Sequence, residues 1–169
     1  IRERRLEHLL GADLMMYALE EATTLCLLYR EEDRPFDVVK IAERLGPLNV
    51  NLPSSARLRL AWAYLQLGKI AQAKFWLQRS LPDSPLEIAW KHGMQAELYK
   101  SEGTQNAKED SLSEIDKAIK VCLGATVDPK VSLDLAQRRL RAYRQDRARI
   151  IQYLFYEKKR AVAEYEKLV

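Results

Sequence analysis

Side chains able to do chemistry are few and scattered along this chain. The two histidines are His8, in an Arg/Glu-rich stretch, and His92, beside Trp90 and Gly93. Cys26 and Cys122 lie far apart in apolar stretches, without a sequence-local basic group that would favour a thiolate. No CxxC pair or Cys/His cluster provides a zinc site. No GxSxG, Walker or Rossmann glycine pattern occurs. The acid pairs Glu20-Glu21, Glu31-Glu32 and Glu109-Asp110 are adjacent, and adjacent residues on a helix do not face one another. We therefore expect no enzyme, no catalytic residue, no metal and no cofactor. One dense charged cluster remains, Arg138, Arg139, Arg141, Arg144, Arg147 and Arg149. It suits contact with phosphates or an acidic peptide. It equally suits a solvated helix face with local ion pairs to Asp134 and Asp146.

The charge distribution isolates that cluster. The formal net charge is +4, yet residues 130–169 hold 11 Lys and Arg against 5 Asp and Glu, while residues 1–129 hold 17 against 19. The basic excess therefore belongs to the C-terminal segment. A hydrophobic share of 47% with 31% charged residues is that of a folded globular chain, not a disordered one. No apolar run approaches the about 18 residues of a membrane span, so no membrane insertion is expected. The chain opens on Ile1 without Met or a signal-peptide pattern and reads as a piece of a longer protein. Unpaired cysteines favour a reducing compartment, cytoplasmic or nuclear.

The elements that must position these residues are helices. Six Gly and six Pro over 169 residues are too few for the closely spaced turns of a β-sandwich. Apolar spacing is 3–4, not 2. Ser84-Pro85-Leu86-Glu87 and Ser111-Leu112-Ser113-Glu114 read as capped helix starts, and Asp128-Pro129 as a third. Gly46-Pro47, Gly68, Pro82 and Gly124 read as stops. The spacing predicts seven helices over 2–31, 36–45, 54–67, 70–81, 85–102, 111–124 and 130–168, with one long polar loop from Glu102 to Ser113.

A repeat underlies this order. Leu60, Ala61, Tyr64 and Gly68 are followed by Ala73, Leu77, Ser80 and Pro85. Counted from Ser54, these supply the small eighth, aromatic eleventh, turn-glycine, small twentieth, bulky twenty-fourth, small twenty-seventh and closing-proline positions of a helix–turn–helix unit. That pattern resembles the tetratricopeptide repeat, whose unit is about 34 residues. Upstream, Cys26, Val39, Ala42 and Pro47 follow the same spacing, although Pro35 replaces a small residue. Downstream, Ala96, Tyr99 and Gly103 fit a first helix, and Ala118, Val121, Gly124 and Pro129 fit a second after an insertion. The resemblance spans about residues 16–129 and implies an all-α, right-handed superhelix of about three hairpins. The expected domains are a repeat body over 1–129 and a long basic capping or projecting helix over 130–169.

The layout is similar to immunophilin-type co-chaperones, which hold acidic chaperone C-termini with a clamp of Lys and Asn. Here the matching positions fall near Glu20, Thr24, Arg59, Trp90 and Met94. Only Arg59 suits an anion and Glu20 repels one, so the clamp is absent. The resemblance instead implies a concave groove centred on Leu58, Arg59, Trp62, Leu65 and Trp90. It would accept a hydrophobic or amphipathic segment of a partner protein, unless these residues are simply core. A second surface is expected on the terminal helix, from Arg138, Arg141, Arg144, Arg149, Leu154 and Tyr165. The function expected is a protein–protein adaptor. The alternatives are a complex subunit that assembles through the terminal helix, or a basic helix on nucleic acid.

Overall fold

A computed structural model describes the backbone of residues 1–12 and 14–166, and their side chains except at 105, 155, 157 and 160–166. Among the described residues the chain is all-helical, without strands. Its helices are α1 (Arg2–Gly11), α2 (Met15–Glu31), α3 (Pro35–Leu45), α4 (Ser54–Gln66), α5 (Ile70–Arg79), α6 (Pro85–Glu102), α7 (Gln105–Ala125) and α8 (Leu133–Glu166), with a 3-10 segment over Gly46–Asn51. They form two compact units, Ile1–Pro82 and Asp83–Val169. The division thus falls at Pro82–Asp83 instead of 129–130, because α8 packs on α7 as part of the second unit.

Three predicted boundaries move, each for a local reason. The first predicted helix is two, α1 and α2. Gly11, a poor helix former, ends α1, and the Leu14 N–H reaches back to the Leu9 carbonyl at 3.0 Å. The predicted polar loop is the start of α7. Thr104 Oγ1 accepts the Ala107 N–H at 3.1 Å, so the helix begins at Gln105. Ser111 is no cap; it is fully buried and donates to the Ala96 carbonyl of α6 at 3.0 Å. Asp128-Pro129 is a turn, with Asp128 Oδ1 accepting the Lys130 N–H at 2.9 Å, and α8 starts only after Ser132.

In the first unit α2 packs on α1, α3 and α4, and α4 packs on α3 and α5. Leu6, Leu25, Ile41, Leu52, Leu58 and Leu60 are its fully buried large side chains. The α2 and α4 C-termini end alike. In α4, Lys69 N–H reaches the Tyr64 carbonyl (2.8 Å) and Gly68 N–H reaches that of Leu65 (3.0 Å). In α2, Arg34 N–H reaches the Tyr29 carbonyl (2.8 Å) and Asp33 N–H that of Arg30 (3.3 Å). Both are Schellman turns, which need a left-handed residue just past the helix. Asp33 (φ 55°), Gly68 (φ 70°) and Gly103 (φ 72°) all adopt that conformation, each 35 residues from the next. The helices that follow begin at Pro35, Ile70 and Gln105, again 35 apart.

In the second unit α7 packs on α6 and α8. Ala89, Gly93 and Ala96 place small residues on one face of α6, and the other elements approach closely there. A Cβ added at Gly93 would lie 2.7 Å from Tyr143 Cε1 of α8. Ile115, Ala118 and Cys122 from α7 and Leu140, Tyr143, Ile150 and Leu154 from α8 complete this core.

Candidate partner-binding surfaces

The two halves of the expected groove lie in different units. Leu58, Arg59, Trp62 and Leu65 belong to the first unit and Trp90 to the second. Leu58 is fully buried and Trp62 nearly so, with the Arg30 guanidinium 4.8 Å from the Trp62 ring centroid. They are therefore core, and the expectation of an accessible Trp62 anchor is corrected. Helix α4 is packed from α2, α3 and α5, which leaves little of it open. Leu65 is half-buried, and half-buried Arg59 donates from Nη1 to the Ser55 carbonyl at 2.6 Å. Trp90 is half-buried in the second unit, with Arg139 5.9 Å from its centroid.

On α8, Arg138, Arg141, Arg144 and Arg149 are all exposed. Arg138 pairs with Asp134 one turn earlier, and Arg149 with Asp146 at 3.5 Å. Leu154 is not presented to another chain; it is buried in the core of its own unit. Tyr165 lies outside the residues whose side chains are described.

A groove that the sequence reading did not pick out lies along α2. It encloses about 680 Å³ and is lined by Met15, Met16, Leu19, Glu20, Thr23 and Thr24, closed at its edge by Asn51 and Pro53. Met15 is 42% exposed and Met16 68%. The threonine hydroxyls have no proton left to donate to a visitor. Thr23 Oγ1 donates to the Leu19 carbonyl (2.7 Å) and Thr24 Oγ1 to that of Glu20 (3.0 Å), so each turns hydroxyl inward along the helix. The lining is thus largely apolar, with Glu20 its one charged residue among the described residues. The signal for it was the run Leu14-Met15-Met16-Tyr17. Four consecutive apolar residues cannot all face one core from a helix, and all four are exposed.

The back of α2 is held rigidly. Buried Glu21 takes Arg2 (3.2 Å) and Arg5 (3.6 Å) of α1. Glu3 accepts from the Tyr29 hydroxyl and pairs with Arg44 of α3 at 2.8 Å. Those two partners hold the Glu3 carboxyl below its usual pKa, while burial and Glu3 push the Tyr29 phenol up to about 12. Cys26, on the buried side of α2, is pushed up to about 12 by burial, which keeps it a protonated, unreactive thiol.

The histidine that lacked a role in the sequence joins one. His92 Nδ1 lies 2.7 Å from Glu114 Oε2, and Lys117 Nζ lies 2.5 Å from Glu114 Oε1. Burial pushes the Glu114 pKa up, but the hydrogen bonds from Lys117 and His92 outweigh it and hold it below normal. Both oxygens of Glu114 are occupied, so the triad fastens α6 to α7 and leaves no free base. Among the described residues, no helix is long and apolar enough to cross a membrane. No protein-family model, curated protein or solved structure matches the chain.

Proposed function

We propose that the chain is a tetratricopeptide-like interaction module whose first unit holds an apolar, cation-bearing segment of a partner protein in the α2 groove. The observation that carries this is the groove itself, a largely apolar channel with two exposed methionines and, among the described residues, a single carboxylate. Methionine side chains adapt to differing apolar partners, and Glu20 selects for Lys or Arg over an acidic segment. The repeat assignment rests on the 35-residue offset of the left-handed turns and on the small residues Cys26, Ala61 and Ala96. These three stand at the same offset and are 0–2% exposed. A superhelix of such hairpins is part of the same proposal, and so is the role of adaptor.

The test is selection of peptides from a random display library on the whole chain. Enriched peptides should combine Leu, Ile or Phe with Lys or Arg. Binding should be lost with Met16→Glu, which places a second carboxylate in the channel, while the far-ultraviolet helical signal stays unchanged. Acidic enriched peptides, or peptides indifferent to Met16→Glu, would refute the assignment. An assembly role for α8 is the second reading, favoured by exposed Ile151, Tyr153 and Tyr156. It predicts a concentration-dependent mass in sedimentation. The nucleic-acid reading rests on the exposed arginine side of α8 and predicts binding that falls steeply with salt.

A further inference from the structure

The second unit contains a cavity of about 360 Å³ between the α6–α7 turn and the middle of α8. Lys100, Lys108 and Arg149 line it together with Asp146, Ile150 and Tyr153, and Gly103 forms its rim. Among the described residues its charged lining is thus three cations against one carboxylate. Lys100 pairs with Glu97, and Arg149 reaches Asp146 at 3.5 Å. Lys108 Nζ lies 4.3 Å from the Tyr153 ring centroid, a contact weaker than an ion pair.

Lys108 is also placed against the local field. It stands at the start of α7, where unpaired N–H groups make the helix end positive, and no acidic side chain occupies that first turn. An acid there would stabilise the helix; this chain has a lysine, and Lys100 and the largely exposed Arg149 line the same cavity. A multivalent anion in the cavity offers these cations charge-assisted hydrogen bonds. A compact oxyanion fills only part of the volume, which is at the small end of organic-ligand pockets (about 300–1,000 Å³). The rest is walled by Ile150 and Tyr153, suited to an apolar body.

We propose that this cavity binds a phosphate monoester, its oxyanion among Lys100, Lys108 and Arg149 and its organic body against Tyr153 and Ile150. The site shares no residue with the α2 groove, so either can fail without the other. Phenyl phosphate and inorganic phosphate serve as probes, titrated into the ¹⁵N-labelled whole chain at ionic strength held constant with sodium chloride. The expected result is saturable shifts of the Gly103 and Lys108 amides, with phenyl phosphate binding more tightly than inorganic phosphate. Lys108→Gln should weaken binding about tenfold, the scale of one lost charge-assisted hydrogen bond. Lys108→Glu should abolish it while melting no lower than the parent, because an acid suits the first turn. Four results would overturn the site: no saturable shift, a shift reproduced by chloride alone, equal affinity for the two phosphates, or binding retained in Lys108→Glu.

Discussion

Exchanging the residue types at the two Schellman turns of the first unit should move its stability in opposite directions. Asp33 holds φ 55° with a side chain that prefers otherwise, while Gly68 holds φ 70° at no steric cost. A left-handed conformation costs an L-residue roughly 1–2 kcal/mol, with Asp at the lower end because it tolerates this region. Asp33→Gly relieves about 1 kcal/mol of that cost but enlarges the freedom of the unfolded chain by about 0.4–1 kcal/mol, so the net gain is at most about 0.6 kcal/mol. Gly68→Ala meets nothing within 4 Å, so no clash obscures the result and the loss is purely backbone, about 1 kcal/mol. For a unit of this size that means a rise of at most about 2–5 °C for Asp33→Gly and a fall of about 4–8 °C for Gly68→Ala. Urea titration followed by circular dichroism should show a shifted midpoint at constant slope, since neither change alters the surface exposed on unfolding. Where the two units unfold separately, only the transition of the first should move. A destabilising Asp33→Gly, a Gly68→Ala without loss, or an effect confined to the second unit, would refute the equivalence of the two turns.

Other outcomes follow from the second unit. Gly93→Ala gains about 1 kcal/mol of helix propensity but drives a Cβ against Tyr143, at a packing cost of about 1–3 kcal/mol. A net loss is expected, and Tyr143→Leu in the same chain should recover part of it; additive losses in a double-mutant cycle would mean the two do not touch. Glu114 has a folded pKa below its unfolded value. Its contribution is therefore present above the unfolded pKa and is lost as pH falls through the folded one. Glu114→Gln should lower stability near neutral pH by about 1–3 kcal/mol and flatten the acid limb of the stability–pH curve. An unchanged limb would show that another carboxylate controls it.

Helices were legible in the sequence wherever a local group alone decided the boundary. Ser84 caps α6 by accepting the Glu87 N–H, as its motif predicts, and Gly68 and Gly103 mark left-handed turns that few other residues tolerate. Ser111 carries the same motif as Ser84 and misleads, because its hydroxyl is used by a tertiary contact to Ala96. Asp33 hides the first turn for the opposite reason: the conformation is glycine-like but the residue is not. The binding surface was the least legible part. Apolar spacing places Leu58 and Trp62 on a helix face but does not say whether another helix covers that face, and here α4 is enclosed by its neighbours. Met15 and Met16 fell inside one long predicted helix, and their exposure became visible only once Gly11 separated α1 from α2.

The chain's three methionines offer the most direct test of the α2 groove. Met15 and Met16 line it, whereas Met94 is 4% exposed in the core of the other unit. Methyl NMR of ¹³C-methionine-labelled chain, titrated with a selected apolar and cationic peptide, therefore carries its own control. The account predicts saturable shifts at Met15 and Met16 and a stationary Met94. Shifts at Met94 alone, or binding that leaves all three signals in place, would contradict it.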